Sequence, residues 1–181
     1  MAQTLISTHI ASSSATLDIT SGITSSYPVY EFHFVGIHGQ TLHADFQFQV
    51  NAAGGSGFNE TMTTSFFRTY ANEGDSDTGG PTYKTDRDQA QGTGYQDLSY
   101  AADQDDGDES VAGMLTLYDP SSTTFTKHFM SRTNANHHSS EYTLECFAAG
   151  YVNTTSAIDA ISFKFDSGNI DAGVIKMYGV L

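Results

Sequence analysis

A run of carboxylates is the part of this chain whose residue types and spacing come nearest to a metal site. The run consists of Asp103, Asp105, Asp106, Asp108 and Glu109. Clustered carboxylates suit Ca²⁺, which prefers oxygen ligands. The order of an EF-hand loop is missing, because the fifth position is Gly107 and no Glu stands at the twelfth position from Asp103. We therefore expect a solvated acidic turn, with calcium binding as the alternative.

Seven histidines raise the question of a transition-metal site. Zinc needs three or four converging nitrogen or sulphur ligands, and the chain has one cysteine and no His-Glu-x-x-His motif. The Gly-x-Ser-x-Gly and Gly-x-x-x-x-Gly-Lys motifs of hydrolases and phosphate loops are also missing. A glycosidase needs only two carboxylates at a suitable separation, so the many acids leave that activity open. We expect no metal, no cofactor and no enzyme activity.

Aromatic residues near glycine-rich loops indicate a different kind of chemistry. The stretch 71–93 is rich in glycine and charged residues and is predicted to be a long surface excursion. Tyr70, Tyr83 and Tyr95 lie in or beside it. Aromatic rings present large flat apolar surfaces, so these tyrosines are candidate glycan-binding residues, although the absence of Trp weakens the case.

Charge restricts the partners. The chain has 181 residues, with 21 acidic against 7 basic ones and a net charge of −14. A nucleic-acid backbone requires Lys and Arg, so we expect no nucleic-acid partner, and an anionic membrane is disfavoured for the same reason. No apolar run reaches the ~20 residues of a membrane span, and we expect no secretory signal. Cys146 has no second cysteine to pair with and is expected to be a buried apolar residue.

The apolar pattern predicts β-strands and no helix. The clearest alternation runs over 42–50, where Leu42, Ala44, Phe46, Phe48 and Val50 share one face, because successive strand side chains point to opposite sides. Short turns predict three hairpins: 29–38 with 42–50, 111–118 with 123–131, and the two arms of 157–181 around the turn 166–169.

A single sheet of this size would leave a broad apolar face uncovered. We therefore predict an all-β fold, an antiparallel β-sandwich of jelly-roll-like type with nine or ten strands. Residues 1–13 are expected to form an N-terminal arm or lead-in, and 14–181 a single sandwich domain.

The second C-terminal arm, 173–181, is apolar on both faces, as in a central strand or a subunit contact. The lead-in also carries apolar residues that need cover. We therefore predict a homo-oligomer, and specifically a trimer. The predicted interface residues are Leu5, Ile6, Ile10, Val174, Tyr178, Val180 and Leu181.

Three stretches carry a family resemblance. The ending Ser-Gly-Asn-Ile-x-x-Gly-x-Ile-x-x-Tyr-Gly spans Ser167 to Gly179, and the other two are Ala11 to Asp18 and Tyr-x-x-Tyr-x-Phe-x-Phe from Tyr27 to Phe34. Together they resemble small structural proteins of marine and cyanobacterial tailed phages. The resemblance covers the two ends of the chain and the middle poorly, and its motifs are architectural.

The resemblance implies a phage virion structural protein located at the virion surface. The first expectation is a capsid decoration (cement) protein that stabilises the outer shell. The alternative is the receptor-binding head domain of a tail or head fibre that recognises host surface glycans. The implied partners are further copies of this chain and the major capsid protein or other virion proteins.

Overall fold

A computed structural model of the chain describes residues 2–102, 109–137 and 142–181. In these ranges the regular structure consists of antiparallel β-strands, and no helix is present. The described residues accordingly include no helix long and apolar enough to span a membrane. The predicted all-β antiparallel sandwich is confirmed.

Thirteen strands are described, where nine or ten were predicted. They are β1 (Gln3–Ser14), β2 (Leu17–Ile19), β3 (Val29–Gly39), β4 (Phe46–Ala52), β5 (Met62–Asn72), β6 (Thr78–Tyr83), β7 (Ala90–Gly92), β8 (Gln96–Asp97), β9 (Val111–Tyr118), β10 (Lys127–His137), β11 (Tyr142–Val152), β12 (Ile158–Phe165) and β13 (Ile170–Val180). The additional strands are β1, β6 and β7. Two of these, β6 and β7, lie within the predicted surface excursion.

The strands form two sheets of unequal size. The large sheet has the order β1-β13-β3-β9-β10-β11-β5-β6, with β7 beside β5, and the small sheet has the order β2-β12-β4-β8. Apolar side chains from both sheets fill the space between them. The rings of Phe34, Phe46 and Phe163 pack with centroid separations of 5.1, 5.4 and 5.9 Å. This aromatic contact joins β3 of one sheet to β4 and β12 of the other.

Two connections that were predicted as hairpin turns carry the chain from one sheet to the other. Strands β3 and β4 lie in different sheets, and so do β12 and β13. The prediction that each of these pairs forms a hairpin is therefore wrong. The reason is that each strand has an apolar face, and two such faces exclude more water when they pack across a sandwich than when the strands lie side by side. The predicted hairpin of β9 and β10 is confirmed.

The two crossing connections are hydrogen-bonded to each other. The Gln40 amide donates to the Asn169 carbonyl at 3.0 Å, and the Asp166 amide donates to the Asp45 carbonyl at 3.0 Å. The Asp45 amide in turn donates to Asp166 Oδ1 at 2.9 Å. Backbone groups that leave the sheets at this corner are thereby paired, which a buried polar group requires.

The segment that was expected to be a lead-in is a strand. Residues 3–14 pair along their length with β13, from Gln3 opposite Val180 to Ser14 opposite Ile170. The expectation of a separate arm is wrong because β13 offers a complete row of backbone donors and acceptors to this segment. The sequence pattern missed β1 because its many Ser and Thr residues give no clear apolar alternation.

Candidate functional site

The outer face of the large sheet, which is the face turned away from the small sheet, carries exposed apolar side chains. They are Leu5 and Ile10 on β1, Val35 on β3, Tyr118 on β9 and Met130 on β10. Ile10 is 71% exposed and Met130 is 58% exposed. A group of exposed apolar residues on one face is a feature of interaction surfaces. The outer face is therefore the candidate site for a macromolecular partner.

Cross-strand neighbours connect these residues into rows. Val174 on β13 lies opposite both Ile10 and Val35, so these three residues form one row across β1, β13 and β3. Further along the sheet, the Tyr118 hydroxyl lies 3.8 Å from the Met130 sulphur. The apolar groups of the outer face are thus in contact across strands rather than scattered.

Polar and charged side chains in the middle of the outer face contact one another. His33 Nε2 lies 3.0 Å from a Glu31 carboxylate oxygen. Arg132 forms an ion pair with Glu145, and its guanidinium lies 5.5 Å from the centroid of the Phe147 ring. The charges of Arg132 and Glu145 compensate each other on this face, in a chain whose net charge is −14.

A shallow groove of about 420 Å³ lies on the outer face where β9, β10, β11 and β5 adjoin. Tyr118, His128, Met130 and Tyr151 line it together with small hydroxyl residues of β5. The rings of His128 and Tyr151 lie 6.2 Å apart. The lining is aromatic and apolar, with few polar groups that converge on one point.

The structure brings four of the predicted interface residues to the outer face. Leu5 and Ile10 are exposed there, and Val174 and Tyr178 are partly exposed between them and β3. The remaining three have other positions. Ile6 packs against the core, Val180 is buried within the chain, and Leu181 is exposed beyond the end of β13.

The three candidate glycan-binding tyrosines do not form one platform. The Tyr83 hydroxyl donates to Asp88 at 2.6 Å, and the Tyr70 ring packs edge-on against Tyr142. The Tyr95 hydroxyl bonds Ser162 of β12 at 3.0 Å, on the small sheet. Each ring therefore belongs to a different local surface.

A buried charged cluster was not predicted from the sequence. Asp45 and Asp97 are 1% and 7% exposed, and the Arg87 guanidinium contacts both carboxylates. Asp45 also accepts a hydrogen bond from the Ala101 amide at 2.5 Å, and Asp97 accepts one from the Gln47 side chain at 2.6 Å. Burial raises the pKa of Asp45 to about 7, with a further contribution from the charge of Asp97.

The alternation over 42–50 correctly placed Phe46 and Phe48 in the core and Asp45 on the opposite face. It did not predict that the segment 87–101 covers that opposite face. Leu42, predicted to face inward, is exposed because β4 begins only at Phe46. The periodic pattern contains no information about a cover that comes from a distant part of the chain.

A glycosidase uses two carboxyl groups, an acid with a raised pKa and a second that stays ionised, and Asp45 and Asp97 have the residue types of such a pair. Burial is also the main cause that raises the pKa of Asp97. The Arg87 guanidinium bridges the two carboxylates, where a sugar oxygen or an attacking water would have to lie. The contacts are those of an ion-pair network that holds β4 to the segment 87–101.

Cations gather around one aromatic ring next to this cluster. Arg68, Lys84 and Arg87 lie 4.0, 4.6 and 5.0 Å from the centroid of Tyr100. Such contacts are attractive because the ring face carries negative charge density.

Cys146 is buried, as predicted, and burial raises the pKa of its thiol to about 12. The thiol is therefore protonated at neutral pH and a poor nucleophile or metal ligand.

In the parts of the chain that the structure describes, no three His, Cys, Asp or Glu side chains converge as a metal ion would require. The candidate calcium ligands Asp103, Asp105, Asp106 and Asp108 lie outside the described residues. Glu109 is described and is 4% exposed. The calcium alternative therefore stays a prediction.

Comparison with known proteins gives no match: no family model, curated protein or solved structure is similar to this chain.

Proposed function

We propose that this protein is a structural protein of a phage particle, with the role of a capsid decoration (cement) protein at the virion surface. The observation that carries the proposal is the outer face of the large sheet. A cement protein needs a broad, rigid surface that lies against a shell, and a sheet face is rigid because neighbouring strands are hydrogen-bonded along their length.

The chemistry of the outer face suits such a contact. Its exposed apolar residues supply surface that gains free energy when it leaves water. Arg132 and Glu145 form an ion pair there, so their burial leaves neither charge without a partner. The net charge of −14 favours solubility of the particle surface. The partners under this proposal are the major capsid protein or other virion proteins, together with further copies of this chain.

The alternative is the receptor-binding head of a tail or head fibre. The observation that favours it is the groove of the outer face, because Tyr118 and Tyr151 offer rings against which a sugar can stack. The three tyrosines predicted from sequence give this alternative less support, since they lie on separate surfaces. A sugar-binding head requires the groove to remain open, whereas a cement protein covers it.

The two roles are distinguished by deleting the gene in its phage and counting copies in the wild-type particle. A cement protein is present in many symmetric copies, and its loss leaves adsorption normal while particles rupture more readily on heating. A receptor-binding head is present in few copies, and its loss abolishes adsorption while heat resistance stays normal. The second pair of results would overturn the proposal.

The attachment face is tested by adding purified protein back to particles that lack it. Met130→Asp places a charge in the centre of the outer face, and we expect fewer retained copies and little recovery of heat resistance. Phe125→Asp is the matched control, because Phe125 is 68% exposed but lies in the loop between β9 and β10. Equal retention of the two variants would show that another surface attaches the protein.

A further inference from the structure

Strand β1 forms one edge of the large sheet. One side of this strand pairs with β13, and no described residue pairs with its other side. The strand is twelve residues long, with a bulge between Leu5 and Ser7 and a positive φ of 49° at Ser13 near its end. Backbone N–H and C=O groups point alternately to the two sides of a strand. The outer side of β1 therefore presents a long row of donors and acceptors.

Natural proteins usually protect such an edge with Lys, Pro, inward-pointing charges or a very short strand. β-Bulges serve the same purpose, and the bulge between Leu5 and Ser7 is the one such device in β1, whose sequence is Gln-Thr-Leu-Ile-Ser-Thr-His-Ile-Ala-Ser-Ser-Ser. Two of its exposed side chains, Leu5 and Ile10, are large and apolar. The edge has the properties of a surface that accepts another strand.

The distribution of charge indicates which kind of strand pairs with this edge. Asp18 is the only Asp, Glu, Lys or Arg in residues 1–30, although the whole chain has a net charge of −14. Two copies of so acidic a protein repel each other where their acidic surfaces approach. The β1 edge is a neutral surface at which two copies can meet with the least repulsion. A basic partner would instead be drawn to the acidic surfaces elsewhere on the chain.

We propose that a second copy of this chain pairs with β1 through its own β1, in antiparallel orientation about a twofold axis. The pairing joins two large sheets into one continuous sheet and provides the missing backbone partners. Because the twofold axis is perpendicular to the sheet, the outer faces of both copies lie on the same side. The rows that begin at Leu5 and Ile10 then continue into the second copy.

This contact goes beyond the proposed function, since it requires neither a phage particle nor a capsid. The contact also restricts the symmetry of the oligomer. A twofold contact gives a dimer, or a hexamer of twofold and threefold symmetry if the predicted trimer also forms.

The association state of the full chain, measured by light scattering after gel filtration at increasing concentration, tests the proposal. We expect a dimer or a hexamer. Ile10→Lys places two ammonium groups close together at the joined edge, and we expect association about tenfold weaker or more. Met130→Lys is the matched control, because it makes the same kind of change on the same face but four strands from the edge, and we expect unchanged association.

Added salt gives a second expected result. Screening weakens the repulsion between the acidic bodies of the two copies, so wild-type association should strengthen as the salt concentration rises. A contact that depends on opposite charges would weaken instead. A purely monomeric or trimeric wild type, or a larger effect of Met130→Lys than of Ile10→Lys, would overturn the proposal.

Disulfide trapping locates the contact without relying on those variants. Single cysteines are placed in turn at positions 7–12 of β1, with the buried Cys146 as the unchanged background. Strands paired about a twofold axis bring equivalent residues at the axis within disulfide reach. We expect intermolecular disulfides at one or two of these positions and none with Met130→Cys. Cross-linking at Met130→Cys but at none of positions 7–12 would place the contact on the outer face instead.

Discussion

Opposing effects of burial, neighbouring charges and hydrogen bonding act on the pKa of Asp45. Burial and the nearby charge of Asp97 raise its pKa, whereas the Ala101 amide and the Arg87 guanidinium lower it. The resulting pKa of about 7, against 3.8 for the free side chain, means that burial dominates. The folded chain therefore binds this proton more tightly than the unfolded chain does.

This difference gives the protein a specific dependence on pH. Between about pH 4 and pH 7 the folded state holds more protons at Asp45 than the unfolded state, so this group lowers stability progressively as pH rises, and its full cost is present above pH 7. Asp45→Asn removes the titration and keeps an oxygen that accepts the Ala101 hydrogen bond. We expect urea unfolding at pH 5 and pH 8 to show a smaller loss of stability in this variant than in the wild type.

Asp86→Asn is the control for this measurement, because Asp86 also lies beside Arg87 but is 61% exposed. Its pH dependence should match that of the wild type. If Asp45→Asn and the wild type lose equal stability between pH 5 and pH 8, Arg87 holds Asp45 ionised throughout that range.

At the scale of strands, alternation predicted which side chains face the core but not which strands are neighbours. The pattern in β4 placed Phe46 and Phe48 correctly because burial of one face has a period of two. The same pattern is satisfied whether the next strand lies beside β4 or across the sandwich from it. Alternation therefore could not predict that the connections from β3 to β4 and from β12 to β13 pass from one sheet to the other. It also could not predict that the distant segment 87–101 covers the second face of β4. The buried charged cluster therefore could not be predicted.

Close approach of strands β3 and β13 explains one glycine of the C-terminal stretch. Gly173 has a φ of +124°, and a Cβ there would lie 2.6 Å from the Gly36 carbonyl oxygen and 2.8 Å from the Ile37 Cα. Gly36 on β3 has a φ of +56° and open space where its Cβ would lie. Both glycines have a positive φ, but only at Gly173 is there also no room for a Cβ.

We therefore expect Gly173→Ala to be much the more destabilising of two matched substitutions. Gly36→Ala should cost about 1 kcal/mol for the left-handed conformation. Gly173→Ala should cost roughly 3 kcal/mol or more, because backbone strain and a backbone clash combine. Urea unfolding with unchanged m values would give both numbers. Equal costs would mean that the irregular pairing between β3 and β13 can shift to make room.

For the whole molecule, the separation of charge from apolar surface is the main feature. The N-terminal 30 residues carry one charged side chain, and the other 20 acidic residues lie in 31–181. Edge strand β1 and the outer face are thus the surfaces best suited to contacts between molecules, whereas the acidic surfaces favour contact with water. The proposed cement role uses the outer face and the proposed twofold contact uses the β1 edge, so one can fail without the other.

The same net charge predicts how salt and calcium affect stability. Like charges on the folded chain repel each other, and salt screens that repulsion over a Debye length of about 10 Å at 0.1 M. We expect the melting temperature to rise from low to moderate salt by the same amount in NaCl, MgCl₂ and CaCl₂ at matched ionic strength.

A specific Ca²⁺ site filled at 100 times its dissociation constant would add about 2.7 kcal/mol of stability. An additional rise with CaCl₂ that MgCl₂ lacks, and that Asp103→Asn together with Asp105→Asn abolishes, would show that the acidic run binds calcium. Coincident curves would show that it acts only through its charge.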